Sequence, residues 1–502
     1  MGFNAFTRRG AADAARSNRG MPLERAFGFG MNNEAHDELR HPGDVMTQRE
    51  IMVLQRVKMI GLTVLSIALT ACGGGGPSDS STQRGALLEA VTTEQWTAAR
   101  LKSAIDAAQS GELLGVPRCD VQLRHIRYRT LNPAGRPATA AAALMLPQGS
   151  DPACRGARPQ LLYAHGTSED KALDLANTKT SAMGDTLLLM AAFATQGIIV
   201  IAPNMQGYEG SDQDYHPYLN AEAQAVDMID AVRAGKRAVQ QESSISLGSQ
   251  LFLAGYSEGG HVALATQRVI ERDHAAELPL AAVVPMSGPY NLVGFADQIF
   301  GGGPVNDGAT MFAPLLINGY QRSDGDIYQQ PGDVYQPAFA STAAGLLPSQ
   351  SSLAELQRAG RLPSPDENFS RLFGPGGLIN DSFRQAFPGS KLRQAMQKNT
   401  LLGFTPKAPL TLCGGAADPV VFFAVNTVAL QADLSGRGIK VPVWNIEDRA
   451  SLPVGPGGDR PYGWFDQVRT AVGGADALKP TYHEVVAFAC ASLAQQYFLS
   501  LR

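Results

Sequence analysis

The chain has 502 residues, 44% of them hydrophobic and 18% charged, with 53 glycines and 31 prolines. That length suits one large domain carrying an insertion, or two to three small domains. The balance of 42 basic against 46 acidic residues, net −4, excludes a nucleic-acid binder built on basic charge, and no repeat of solenoid or propeller period is present.

The first readable segment is a signal. Arg56 and Lys58 precede the apolar stretch Met59 to Leu69, which is followed by "LTAC", Leu69 to Cys72. A basic flank, a short apolar run and small residues describe an export signal, too short to span a bilayer. Residues 1–71 are assigned to this signal region, with the signal proper at about 52–71 and residues 1–45 read as an upstream extension, translation then starting at Met46 or Met52. The "LTAC" stretch resembles the lipobox of bacterial lipoproteins, which implies a lipid on Cys72; a plain secretory signal cut near Ala71 is the alternative. Gly73 after the cysteine implies, by the same resemblance, the outer membrane. The Gly- and Ser-rich residues 72–85 form a flexible tether.

Four cysteines then remain: Cys119, Cys154, Cys413 and Cys490. In an oxidising compartment an even number suggests disulfides. Three pairings are open, and Cys119 with Cys154 and Cys413 with Cys490 is preferred. No Cys-x-x-Cys or histidine-rich cluster is present, so no metal site is expected.

Further along, Val121 to Thr130 and Ala138 to Leu146 read as two strands around the turn Asn132-Pro133-Ala134-Gly135. Gln160 to Ala164 is a strand ending in "YAHGT". Thr186 to Thr195 is helical, Ile198 to Ala202 is a buried strand, and Ala221 to Val239 repeats apolar residues at helical spacing. Leu251 to Tyr256 and Leu280 to Val284 are the next strands. This alternation predicts an α/β fold with parallel strands and crossover helices on both faces. Its chemistry should lie beyond the carboxyl ends of the strands.

From Asn291 to Lys407 the rhythm breaks into Gly- and Pro-rich stretches with helical segments such as Ser352 to Arg361 and Asp381 to Gln397. It resumes with strands at Leu410 to Cys413 and Val441 to Ile446, and closes on a helix from His483 to Leu499. Residues 86–290 and 408–502 are therefore expected to form the core domain, and 291–407 a cap or lid.

The strand ending at Tyr256 meets a helical pattern at Gly255-Tyr256-Ser257-Glu258-Gly259, a G-x-S-x-G nucleophile elbow. A serine hydroxyl needs a base to take its proton, and in this architecture the order is Ser, then Asp or Glu, then His. Histidines 36, 41, 125, 165, 216, 261 and 274 come too early, which leaves His483. Asp418, in "CGGAADPVV", follows a strand and is the preferred acid; Asp448 is the second candidate. Oxyanion donors are expected from the backbone of Glu258 and from the "HGTSED" loop, at Thr167 or Gly166. His165 is read as shaping that loop, and His261 as a buried, hydrogen-bonded side chain.

Jointly, "YAHGT", "IAPNMQGYEGSD", "GYSEGGH", "MSGPYNL", "GGAADPVV" and "PTYHE" resemble the α/β-hydrolase superfamily from about residue 120 to 500, and within it the bacterial members similar to secretory lipases of the lipase A type. The resemblance implies an eight-stranded, mostly parallel sheet, a Ser257–Asp418–His483 triad, an acyl-enzyme mechanism and no cofactor. The expected activity is a serine esterase or lipase acting on a small-molecule or lipid ester. A prolyl-type serine peptidase and a non-catalytic surface lipoprotein are the alternatives. The segment Asp448 to Tyr482 is longer than the pattern expects, and the cap matches no known pattern, so acyl preference stays open, as does the oligomeric state.

Overall fold

The computed structural model describes residues 83–502 apart from 109, 243–244 and 364–367. The signal, Cys72 and most of the tether therefore lie outside the described residues.

Among the described residues, nine strands form a single sheet in the order β1-β2-β3-β5-β4-β6-β7-β8-β9. They are β1 (Leu87–Trp96), β2 (Asp120–Leu131), β3 (Pro137–Gln148), β4 (Ala157–Ala164), β5 (Ile199–Pro203), β6 (Ser246–Tyr256), β7 (Leu280–Met286), β8 (Leu412–Gly414) and β9 (Val443–Asn445). The β1–β2, β2–β3 and β3–β5 pairs are antiparallel. From β5 to β9 every pair is parallel. The expected eight strands thus become nine. The addition is the edge strand β1, whose charged and Thr-rich sequence buries only Trp96 and so lacks the apolar run that marks its neighbours.

The β2–β3 hairpin closes where expected: Asn132 Oδ1 accepts the N–H groups of Ala134 and Arg136, and Gly135 takes φ +72°. The central strands carry continuous apolar, buried runs, Leu161 to Ala164 in β4 and Leu251 to Ala254 in β6, because both faces are covered there. Every residue of β5 is buried. On one face the helices Ala221–Gln240 and Glu258–Val269 pack together; on the other, Tyr482–Ser500 packs against Met183–Ala192 and Pro456–Val472. That last helix lies inside the long segment before His483. The expected helix over 381–397 is two, Asp381–Ala386 and Lys391–Asn399, separated at Phe387-Pro388-Gly389 where proline cannot continue the ladder.

The sheet and its helices bury one large hydrophobic cluster. A second one draws on Leu292 to Met396, joined by Tyr218 and Leu219. Two disulfides lie among the described residues. Cys119–Cys154 ties the region before β2 to the turn before β4, and Cys413–Cys490 ties β8 to the helix Tyr482–Ser500. Their Cα separations are 5.6 and 5.8 Å. By loop-closure entropy, bridges closing 35 and 77 residues contribute about 4 kcal/mol each.

Candidate active site

Ser257 sits between β6 and the helix Glu258–Val269 with φ 59° and ψ −121°, a region non-glycine residues rarely occupy. Such a backbone costs about 1–3 kcal/mol and persists only where its surroundings enforce it. The enforcement here is close packing. A Cβ on Gly255 would collide with the Gly259 carbonyl, and one on Gly259 with the Ala164 carbonyl at the end of β4. The Ser257 N–H donates to Met286 O of β7 at 2.9 Å, pinning the turn to the sheet. The serine is thereby held at the carboxyl end of the sheet, 8% exposed.

The structure brings Asp418 and His483 together. His483 lies in the first turn of the helix Tyr482–Ser500, and its Nδ1 stands 2.7 Å from Asp418 Oδ2. Asp418 Oδ1 accepts the N–H groups of Val420 and Val421 at 2.9 and 3.1 Å, so both carboxylate oxygens are engaged and its orientation is fixed. The His483 Nε2 is buried with no hydrogen-bond partner. Burial pushes the imidazole pKa down, but the Asp418 carboxylate outweighs it and raises the group above its ordinary value. His483 meets the elbow through Tyr256, the residue before Ser257: the rings are 4.8 Å apart, and the tyrosine hydroxyl donates to the His483 carbonyl. The open Nε2 means that Ser257 Oγ is not hydrogen-bonded to it in this resting arrangement; such contacts tighten when substrate binds.

Asp448 is placed elsewhere. Its Oδ1 caps the short turn Arg449–Ser451 through the Ala450 N–H, 3.0 Å away, and it makes no contact with His483. His261 is fully buried, with Nε2 2.9 Å from Asn399 O, and burial pushes its pKa down to about 4.

The "HGT" loop borders the serine: a Cβ on Gly166 would lie 3.6 Å from the Ser257 Cβ. His165 braces the loop, its ring nitrogens 2.6 Å from Gly166 O and 3.0 Å from Asn204 O. Thr167 Oγ1 is 3.0 Å from Tyr218 Oη. The Glu258 N–H opens the elbow helix, where no intrahelical acceptor exists. Its side chain turns into the core: Oε1 accepts from His216 Nε2 and Gln224 Nε2, each at 2.6 Å. Burial pushes this carboxyl up, but His216 outweighs it and the net shift is downward, so the group is a carboxylate. His216 Nδ1 lies 2.7 Å from the Gln206 carbonyl, so both ring nitrogens face oxygens and the imidazole is fixed in place beside Glu258.

Sequence reasoning missed His216, Gln224 and the part played by Tyr256, because none belongs to a spaced motif. Glu447, one residue from the acid candidate Asp448, was also missed. It accepts the Ala417 N–H at 2.8 Å and the Tyr482 hydroxyl.

Residues from 291–407 touch both walls of the site. Asp307 N–H and Asn306 Nδ2 each donate at 3.0 Å to the carbonyls of Pro419 and Val420, just after Asp418. Ser349 exchanges backbone hydrogen bonds with Glu169 and Lys171, just after the "HGT" loop. A polar cleft of about 490 Å³ opens between Arg268 and Lys398 and contains none of the candidate site residues. Among the described residues no cluster of His, Cys, Asp or Glu could hold a metal ion.

A nine-stranded, mostly parallel sheet covered on both faces, with a strained serine at the turn after a central strand, defines an α/β-hydrolase. Solved structures of an esterase and a lipase are among those similar to this chain. The rice cell wall degrading esterase LipA from Xanthomonas oryzae is similar at a TM-score of 0.69 and 28% identity, over 84% of this chain and 100% of that one. A Legionella pneumophila protein described as a "putative hydrolase" is similar at a TM-score of 0.61 and 19% identity, over 80% and 97% of the two chains. Lipase A from Candida antarctica in its closed state reaches 0.50 at 16% identity, over 73% and 78%. These two share the fold. No protein family model matches the chain, and no curated protein matches it.

Proposed function

We propose that this chain hydrolyses carboxylic esters through an acyl-serine intermediate at Ser257. The observation that carries the reading is the Asp418–His483 hydrogen bond, with a buried, unpartnered Nε2, packed against Tyr256, which precedes a serine held at positive φ. His483 Nε2 takes the Ser257 proton as Oγ attacks the ester carbonyl. The backbone N–H of Glu258 and that of Thr167 or Gly166 receive the oxyanion. His483 returns the proton to the leaving alcohol, and water then cleaves the acyl-serine by the same route. Asp418 holds the imidazole tautomer and stabilises its charge.

Residues 291–407 act as the cap over this site, a role supported by their separate hydrophobic cluster and their bonds to both walls. The two disulfides support folding in an oxidising compartment. Anchoring through a lipidated Cys72 rests on the "LTAC" stretch alone.

The test is Ser257→Ala against a p-nitrophenyl ester series, with fluorophosphonate labelling of the parent. Turnover falls by about a thousandfold or more and labelling is lost with the serine. Wild-type hydrolysis by the variant, or a folded parent that does not label, overturns the reading. Faster cleavage of aminoacyl-proline amides than of esters would replace it with a peptidase.

A further inference from the structure

Asp418 and His483 are joined directly, and the residues immediately before them, Ala417 and Tyr482, are joined as well, through one carboxylate oxygen. Glu447 Oε1, from the chain just after β9, accepts the Ala417 N–H at 2.8 Å and the Tyr482 hydroxyl. The Ala417 N–H also lies 3.2 Å from the Tyr482 oxygen. The acid-bearing and base-bearing segments are therefore cross-linked at two consecutive positions.

The surrounding sequence accommodates this second link. The Ala416 N–H is taken by Asn445 Oδ1 at 3.2 Å, so side chains at the end of β9 and just beyond it hold the backbone of the acid loop at two adjacent amides. Gly415 leaves the room that the Tyr482 phenol fills; a Cβ there would collide with its oxygen. On its other side the tyrosine ring packs edge-on against Phe465, centroids 5.8 Å apart. Burial and Glu447 hold the phenol well above its ordinary pKa, so it remains an O–H donor.

We infer that Glu447 and Tyr482 are positioning residues for the acid–base pair, setting the Asp418–His483 distance from outside the triad. This rests on the serine-hydrolase reading above. Neither side chain touches the reacting atoms; each acts through a backbone neighbour. An imidazole displaced by about 1 Å forfeits on the order of a hundredfold in rate, which is the scale of effect available to such a brace. A carboxylate holding only the fold would stabilise the chain and leave turnover untouched.

The test compares Glu447→Ala, Tyr482→Phe and Glu447→Gln with the parent, measuring kcat, KM, the pH profile of kcat/KM and thermal unfolding. Tyr482→Phe keeps the ring and removes only the hydroxyl, so it reads the link even if Glu447→Ala fails to fold. Tyr482→Phe and Glu447→Ala lower kcat about tenfold or more with little change in KM. They also move the acid limb of the profile downward, because Asp418 holds the imidazolium less well. Glu447→Gln, which keeps an acceptor oxygen, recovers most of that loss. Parent-like kcat and acid limb in Tyr482→Phe overturn the inference, as does a Glu447→Gln variant as impaired as Glu447→Ala. Those failures alongside an inactive Ser257→Ala would remove only the positioning role; an active Ser257→Ala would remove the catalytic reading itself.

Discussion

Cys413 and Cys490 join the same two elements that carry Asp418 and His483. Cys413 lies in β8, shortly before the acid loop, and Cys490 lies on the helix whose first turn holds His483. Both cysteines are fully buried. The other bridge, Cys119–Cys154, precedes β2 and β4 and so lies at the opposite end of the sheet from the serine.

The two bridges should therefore behave differently when removed. Replacing both Cys413 and Cys490 by alanine lowers stability by about 2–5 kcal/mol and also slows turnover. Replacing Cys119 and Cys154 lowers stability by a similar amount and leaves kcat near that of the parent. Urea unfolding and ester turnover, measured on both double variants, check this.

The pH profile follows from His483. The base acts only when neutral, and its pKa is raised: burial pushes it down, but the Asp418 carboxylate outweighs that. Activity is therefore lost as pH falls through a value above the usual histidine pKa of about 6.5. Asp418→Asn removes the carboxylate charge, moves the acid limb to lower pH and lowers kcat by several orders of magnitude. The measurement is kcat/KM against pH for the parent and the variant.

The His216–Glu258 pair predicts a stability effect. Both side chains are fully buried and 2.6 Å apart. His216→Gln removes a 2.6 Å hydrogen-bond partner of the buried Glu258 carboxylate, which costs about 1–3 kcal/mol. A His216→Gln, Glu258→Gln double variant recovers much of that loss, since no charge is left behind. Denaturant titration of the two variants gives the comparison.

The elbow itself allows no side chain at position 259. Gly259→Ala forces the Ala164 carbonyl of β4 away from the turn and shifts Ser257 with it. We expect loss of fluorophosphonate labelling together with a lower thermal midpoint, read in one labelling and melting experiment.

Much of this arrangement was legible in the sequence because its signals are local. β4 to β7 stand out by the apolar runs in their carboxyl-terminal parts, where burial on both faces leaves no polar position. β1 did not, because an exposed edge strand with Glu89, Thr92, Thr93 and Glu94 carries no such run. β8 and β9, three residues each, are too short to bound from pattern alone. Ser257, Asp418 and His483 were candidates from the elbow motif, the strand before the acid and the chain order, and of the two acid candidates it is Asp418 that bonds His483. Glu447 and His216 could not be named in this way: their partners Tyr482 and Glu258 lie 35 and 42 residues away, and only the folded chain brings them together.

Asn306 and Asp307 fasten the 291–407 region to the chain just after Asp418, and Ser349 fastens it to the chain just after the "HGT" loop. On the proposed reading of this region as a cap, a roof nailed down at two eaves would not hinge without loosening the walls beneath it. Admission of a bulky ester would then depend on rotating side chains in the gap between the fastenings, and the dimensions of that gap, more than the chemistry below, would sort one acyl chain from another.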